Sequence, residues 1–423
     1  MYDILSVYLE NGLRVVMHKI PYARTMACGV WVKQGSKYES EEESGLSHLI
    51  EHLMINIENK NNKKFRNLIS KVASEGVSYN AGTTKETTSY YFTGLSNMLE
   101  KCIETLGTIV IDNKTFSEDL LENEKKVVVQ EAISFYSSFN QIKERTSQSL
   151  WGNVGVGRII VGNIDNVNNC NISKIENMIN ETYTPENSTL IVVGGIDYDE
   201  TLRIVEKNFS RWKDNDTRKY KEIVDSDPGI YFNSTGTGKS TAVSIGFRSP
   251  GYTDSERLNV EIISKILGDV SFESRLVQEI RMKRGLAYTI GGFTNFYNER
   301  GTIGFTAVCS NDKVQEVVKI MIDEFRKVKA NGFEEKEIER VKKVLETKTL
   351  LDLDNLQSQL NFLGRLSASN KLFSLEQEIR SIKRVCNKDV FGTLNDLMLD
   401  EKMGLAVIGN CDVDEIVQLL KIN

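Results

Sequence analysis

Two of this chain's three histidines, His48 and His52, stand four positions apart with Glu51 between them. At 3.6 residues per turn, a helix places both imidazoles on one face, one turn apart, with the Glu51 carboxylate beside them. Leu46, Leu49, Ile50, Leu53 and Met54 fall at i, i+3, i+4, i+7 and i+8, an apolar stripe roughly opposite. One side of such a helix anchors in a core. The other offers two nitrogen ligands for a divalent metal and a carboxylate able to accept a proton. The plain alternative is a solvated helix with two incidental histidines, and in a chain this poor in histidine the metal-binding reading is preferred.

Two histidines alone do not hold zinc, because a catalytic site takes three protein ligands and leaves a position for water. Glu124 and Glu131 are seven residues apart, two helical turns, and share a face with Leu120, Leu121, Val127 and Val128. Carboxylates set in an apolar stripe are costly to bury unless a cation or hydrogen-bond donors meet them. A metal would meet Glu124, the expected third ligand, and a hydrogen bond outside the ligand shell would meet Glu131. A lysine or arginine paired with the two carboxylates is the plain alternative.

These residues need elements to position them. Residues 13–17 and 27–32 read as strands, the histidine helix follows with Ser44 as its N-cap, and residues 65–72 form a second helix. Residues 78–84 and 87–93 read as two strands of one sheet. Helices at 95–110, 116–137 and 172–181 come next, then a strand at 188–193 and a helix from 199. Residues 192–200 (VVGGIDYDE) match residues 407–415 (VIGNCDVDE) at an offset of 215, Gly194 against Gly409. The same offset sets residues 30–33 on 245–248, and two further residues of slippage set 125–128 on 342–345. The chain therefore reads as two similar α+β domains from an internal duplication, each a mostly antiparallel sheet packed with helices. Their expected bounds are 1–212 and 228–423, joined by a charged polar linker, 213–227. At the constant offset His48, Glu51 and His52 become Ile263, Ile266 and Leu267, so only the first domain can bind metal this way.

Composition narrows the function classes. A net charge of -6 argues against a nucleic-acid partner, since phosphate neutralisation needs a basic surface. No apolar run approaches the ~18 residues that span a membrane, and the first ten residues lack the basic-then-apolar pattern of a signal peptide. Six dispersed cysteines without a CxxC pair read as reduced thiols, and a cytoplasmic location is expected. Residues 235–241 (TGTGKST) imitate the end of a phosphate-binding loop. The glycine required five positions before Gly238 is Asn233, and residues 242–245 (AVSI) read as strand where a helix is needed, so a nucleotide site is not expected.

His48-x-x-Glu51-His52, with Glu124 and Glu131 some seventy residues later, resembles the inverted motif of the pitrilysin/insulinase family of zinc peptidases. That family includes the insulin-degrading enzyme and the mitochondrial processing peptidase. The resemblance runs over nearly the whole chain, through residues 11–16 (NGLRVV), Asn80-Ala81, residues 183–187 (YTPEN) and Ser274-Arg275-Leu276 to Tyr288. The length is similar to the single-unit, two-domain bacterial members, alike to one processing-peptidase subunit. Residues 267–271 lack the family's common glycine run, and the gap from His52 leaves Glu122 open beside Glu124 as the ligand.

The resemblance implies one Zn2+ per subunit held by His48, His52 and Glu124, with Glu51 as the general base that activates zinc-bound water and Glu131 supporting catalysis. It implies that Arg281 and Tyr288 contact substrate and the reacting carbonyl, and that Asn80 and Ala81 lie on the strand that pairs with an extended peptide. It further implies half of a clamshell: an endopeptidase that cleaves unstructured peptides in a closed dimeric chamber, as a homodimer or a heterodimer with a related subunit. The alternative within the family is a non-catalytic peptide-binding or assembly subunit.

Overall fold

The computed structural model describes residues 4–213, 217–220, 226–234, 238–269, 271–369 and 371–422. In chain order the strands are β1 (Leu5–Tyr8), β2 (Arg14–Lys19), β3 (Thr25–Val32), β4 (Ser78–Thr83), β5 (Thr88–Leu95), β6 (Ser188–Gly194), β7 (Ile230–Asn233), β8 (Ser240–Pro250), β9 (Ala287–Phe296), β10 (Arg300–Ser310) and β11 (Met403–Ile408). The helices are α1 (Leu46–Ile55), α2 (Lys63–Ser74), α3 (Leu99–Gly107), α4 (Glu118–Tyr136), α5 (Ile142–Trp151), α6 (Ile164–Asn168), α7 (Ile172–Thr182), α8 (Tyr198–Phe209), α9 (Arg257–Gly268), α10 (Val314–Asn331), α11 (Glu335–Leu353), α12 (Leu356–Leu366), α13 (Leu375–Arg384), α14 (Asn387–Leu397) and α15 (Val413–Leu419).

The chain forms two compact units, each with its own sheet and core. The first sheet runs β1-β2-β6-β3-β5-β4 and the second β7-β11-β8-β10-β9. Setting β2 against β7 makes the two orders coincide strand for strand, with β1 as an addition at one edge of the first. Among the described residues each sheet has one parallel pair, β2 with β6 and β7 with β11, and the other neighbours are antiparallel. A shared strand order with its single parallel pair in the same place is what a duplicated chain produces. The equivalents of His48, Glu51 and His52, namely Ile263, Ile266 and Leu267, lie on α9 fully buried in the second core.

The units are not contiguous halves. One takes in Met1–Ser134, Ile160–Glu222 and Leu350–Glu376; the other Phe135–Ile159, Ile223–Thr349 and Gln377–Asn423. All strands of the first sheet lie within residues 1–212 and those of the second within 228–423, whereas two helical segments belong to the other unit. α5 packs on β8, β10 and β11, burying Ile142 and Leu150, whereas α12 packs on β3 and β6 of the first sheet. Burial of apolar side chains on the open sheet faces is the cause. The expected linker is also not uniformly free. Arg218 pairs with Glu43 and Glu181 of the first unit at 2.5 and 2.9 Å, and Tyr220 donates to the Lys33 carbonyl. Residues 214–216 and 221–225 lie outside the described residues, as do 235–237 of the phosphate-loop look-alike, after which Ser240 opens a strand.

Among the described residues no helix is long and apolar enough to cross a membrane. All six cysteines are free thiols, and four of them are buried.

α12 sits close to its sheet because it carries a glycine there. A Cβ at Gly364 would stand 2.5 Å from Cζ2 and Nε1 of Trp31 on β3. Helix propensity alone favours Gly→Ala by about 1 kcal/mol, whereas overpacking costs about 1–3 kcal/mol. We expect Gly364→Ala to lower the urea midpoint of the protein; a raised midpoint would show that α12 can retreat without loss.

Candidate active site

α1 is the scaffold of the site. Its N-cap is Gly45 at φ = 100°, a left-handed conformation that glycine adopts without a Cβ penalty, and not Ser44 as expected. The exposed amide donors of the first turn are met from outside the helix. The Glu39 carboxylate accepts from Gly45 N at 3.0 Å and from Ser47 N at 2.7 Å, placing negative charge at the positive helix end. The stripe of Leu46, Leu49, Ile50, Leu53 and Met54 is wholly buried in the first core, which fixes the rotation of the helix. His48 and His52 are left half-buried on the opposite side, their ring centroids 4.8 Å apart.

α4 brings both expected carboxylates to the histidines, with exchanged places. Glu131 Oε2 is 3.5 Å from His48 Nε2 and 3.7 Å from His52 Nε2. Ligand atoms from these three residues all lie within 4.8 Å of one another. Donors bonded to a tetrahedral zinc at 2.0–2.1 Å stand about 3.3 Å apart, so two nitrogens and one carboxylate oxygen fit such an ion with small adjustment. Glu124 instead addresses the far nitrogen of His52, with Oε2 3.2 Å from Nδ1, while its Oε1 accepts from Asn56 Nδ2 at 2.5 Å. Of the two carboxylates, Glu131 faces both Nε2 atoms, whereas Glu124, the expected ligand, faces Nδ1 of His52. The physical reason is seven-residue spacing: both carboxylates share a face, and only the height of α4 along α1 decides which meets Nε2. Glu122 is drawn away by an ion pair with Lys125 at 2.6 Å.

The electrostatics suit a ligand set. Burial, and then the neighbouring His52, push the pKa of His48 down to about 4, so its imidazole is neutral near pH 7. Burial also acts downward on His52, but the Glu124 hydrogen bond and the charges of Glu131 and Glu51 outweigh it and raise its pKa. Burial raises the pKa of Glu51, and a hydrogen bond from Thr83 opposes part of that rise. Thr83 Oγ1 donates to Glu51 Oε2 at 2.7 Å.

β4 lies beside α1 as the edge strand of its sheet, paired only with β5 from Ser78↔Thr93 to Thr83↔Thr88. Asn80 is exposed, and its Oδ1 accepts from the Ala81 N–H at 2.9 Å. An open pocket of about 420 Å³ lies next to these residues, lined among others by Glu51, His52, Ile55, Asn56, Tyr79 and Glu124. Arg281 and Tyr288 belong to the other unit. The helical turn Val277–Met282 carries Arg281, Gly285 at φ = 63° reverses the chain, and Tyr288 follows in β9. The Arg281 guanidinium lies 4.6 Å from the Tyr288 ring centroid, and Tyr288 is 80% exposed.

Sequence reasoning missed Asn56, Thr83 and Glu39. Asn56 follows His52 by four residues and so shares its helical face, and Thr83 follows Ala81 by two and so shares its strand face; either spacing could have flagged them. Glu39 carries no comparable signal.

A two-unit fold with paired imidazoles and a facing glutamate defines a class, and comparison with known families agrees. "Insulinase (Peptidase family M16)" matches residues 14–162, and "Peptidase M16 inactive domain" matches residues 169–345. The chain belongs to this insulinase, or pitrilysin, family. An uncharacterized zinc protease of Mycobacterium leprae is 27% identical over 95% of this chain and 90% of its own length. The mitochondrial-processing peptidase subunit beta of Neurospora crassa is 24% identical over 96% of this chain and 87% of its own. A crystal structure of a protease from Helicobacter pylori shares the fold with a TM-score of 0.87 at 20% identity, over 97% of this chain and 100% of that one.

The exchange of the two glutamates is testable by zinc titration calorimetry. Glu124→Gln should weaken zinc binding about 10- to 100-fold, as loss of a partner outside the ligand shell does. Glu131→Gln should weaken it further, and Glu122→Gln should leave it unchanged. A larger loss in Glu124→Gln than in Glu131→Gln would make Glu124 the ligand after all.

Proposed function

We propose that this chain is a zinc-dependent endopeptidase that cleaves unstructured peptides and holds one Zn2+ per subunit on His48, His52 and Glu131. The observation that carries this reading is the convergence of His48 Nε2, His52 Nε2 and Glu131 Oε2, with Glu51 on the same helix directly before His52. When bound, zinc would polarise the scissile carbonyl and bring the pKa of a water molecule to about 7. Glu51 holds one carboxylate oxygen on Thr83, which leaves Oε1 to accept the proton of the attacking water and return it to the leaving amine. Glu124 holds the Nδ1 proton of His52, so that the Nε2 lone pair faces Glu131.

The substrate class follows from β4. An edge strand recognises an extended backbone through main-chain hydrogen bonds and asks little of sequence. The Ala81 N–H, now engaged by the Asn80 side chain, is the donor such a peptide would take over. Arg281 and Tyr288 would meet the substrate and its carbonyl oxygen in a closed dimeric chamber, because Arg clamps a backbone oxygen and Tyr donates to an oxyanion. The chain carries both the metal residues and this pair, so a homodimer suffices; a related subunit could equally supply the pair, as the similarity to a subunit of a processing peptidase suggests. Free cysteines fit a reducing compartment such as the cytoplasm.

The non-catalytic reading gains some support from the description "inactive domain" for residues 169–345. That stretch contains α9, where the ligand positions are Ile263, Ile266 and Leu267, so the description suits the second unit and leaves the first unit's residues in place.

The test is cleavage of an unstructured peptide by purified protein, abolished by a chelator and restored by zinc. Glu51→Gln should retain zinc by elemental analysis and lose peptidase activity by at least about 100-fold, the scale of a general base. A Glu51→Gln protein with the wild-type rate would remove the assignment. Arg281→Ala should lower kcat/KM without changing zinc content, and a fully active monomer in analytical ultracentrifugation would overturn the dimeric chamber.

A further inference from the structure

The Glu51 side chain is almost wholly buried, at 8% exposure, and a buried carboxylate needs donors to hold one orientation. Thr83 supplies one: its hydroxyl donates at 2.7 Å to Oε2. We infer that Thr83 is a positioning residue for Glu51, fixing one carboxylate oxygen so that the other stays directed at the His48–His52–Glu131 cluster. The inference deepens the peptidase reading above and rests on it.

The geometry favours a deliberate clasp. Thr83 is the last residue of β4, and its β-branched side chain has few rotamers, whereas glutamate has three rotatable bonds to restrain. The hairpin end that carries it is rigid. Thr83 pairs with Thr88, the turn is closed by Thr84 N donating to the Thr87 carbonyl at 2.8 Å, and Thr84 Oγ1 accepts from the amides of Glu86 and Thr87. A buried ion pair from Lys37 to Glu86 at 2.7 Å ties the turn to the chain before α1. The alternation of β4 puts Tyr79, Ala81 and Thr83 on one face, with Tyr79 lining the pocket beside Glu51 and Thr83 bonded to it. The strand whose edge would receive the peptide is therefore the strand that holds the general base. A support built on a hairpin keeps such a group in place better than a loop would.

A merely structural threonine would lower stability and leave the rate of folded enzyme alone. The test compares Thr83→Val, which keeps shape and removes the hydroxyl, with Thr83→Ser, which keeps the hydroxyl. We expect Thr83→Val to lose kcat about 10- to 100-fold with KM for an unstructured peptide and zinc content unchanged, and Thr83→Ser to recover most of the rate. Crystal structures of the zinc-loaded proteins should show the Glu51 carboxylate displaced in Thr83→Val and in place in Thr83→Ser. An unmoved Glu51 in Thr83→Val, a wild-type kcat in that variant, or a serine variant as slow as the valine one would overturn the inference. Should the wild-type protein cleave nothing, the peptidase reading fails by itself, and the position of Glu51 in the two variants still decides the role of Thr83.

Discussion

Everything near the catalytic candidates depends on how α1 is held: an apolar stripe buried on one side and an ionisable face pressed against α4 on the other. Five buried residues lock the rotation of that helix, so His48, Glu51 and His52 cannot turn away from the carboxylates opposite. Glu51, Glu124 and Glu131 then crowd two imidazoles at one junction. Two unit charges about 4 Å apart near a protein surface interact by about 4 kcal/mol, so three carboxylates in one place require compensation. Thr83 and Asn56 provide some of it through donors, and the Nδ1 of His52 provides more. Glu131, facing two Nε2 atoms of which one belongs to an imidazole neutral at pH 7, is the group that a divalent cation would satisfy best.

This explains why some of the site was legible in the sequence and some was not. The helical period alone places His48, Glu51 and His52 together and opposes them to the leucines, and the structure has that arrangement. The same period places Glu124 and Glu131 on one face and then stops being informative. Which of the two meets Nε2 depends on where α4 crosses α1, a tertiary distance that no local pattern encodes. The strand period puts Thr83 on the face of Ala81, but its partner Glu51 is 32 positions away, across a helix-to-strand contact that no local pattern encodes. The N-cap is Gly45 and not Ser44, and the carboxylate of Glu39, six residues before Gly45, meets the helix-end amides in place of a capping side chain.

The fold shows the same division. Strand positions and duplication were accessible because apolar runs and an offset survive in sequence, and the slippage of two residues reappears as α4 and α11, which correspond end to end. The exchange of α5 and α12 between units left no trace there. α5 carries Thr146, Ser147 and Ser149 into a buried position, where Thr146 bonds Ser244 at 2.7 Å, so its apolar stripe is interrupted and the sequence does not mark it as a helix. A helix that meets its sheet through hydroxyls and close-set glycines gives a weak periodic signal.

The duplicated topology also organises the chemistry. β4 and β9 are equivalent edge strands, each the last in its sheet. One unit has that edge next to the histidine helix α1 and carries Thr83 and the Asn80–Ala81 pair on it; the other has buried the counterpart of that helix and carries the exposed Tyr288 on the matching strand. An open sheet edge is the place in such a fold where main-chain donors and projecting side chains reach a ligand without dismantling a core. With Ile263, Ile266 and Leu267 at the corresponding positions, the second core holds apolar side chains there, which stabilises it. The difference at the helix and the likeness at the edge are thus two consequences of one rule. A buried position must be apolar or fully satisfied, whereas an edge position can carry whatever chemistry the ligand requires.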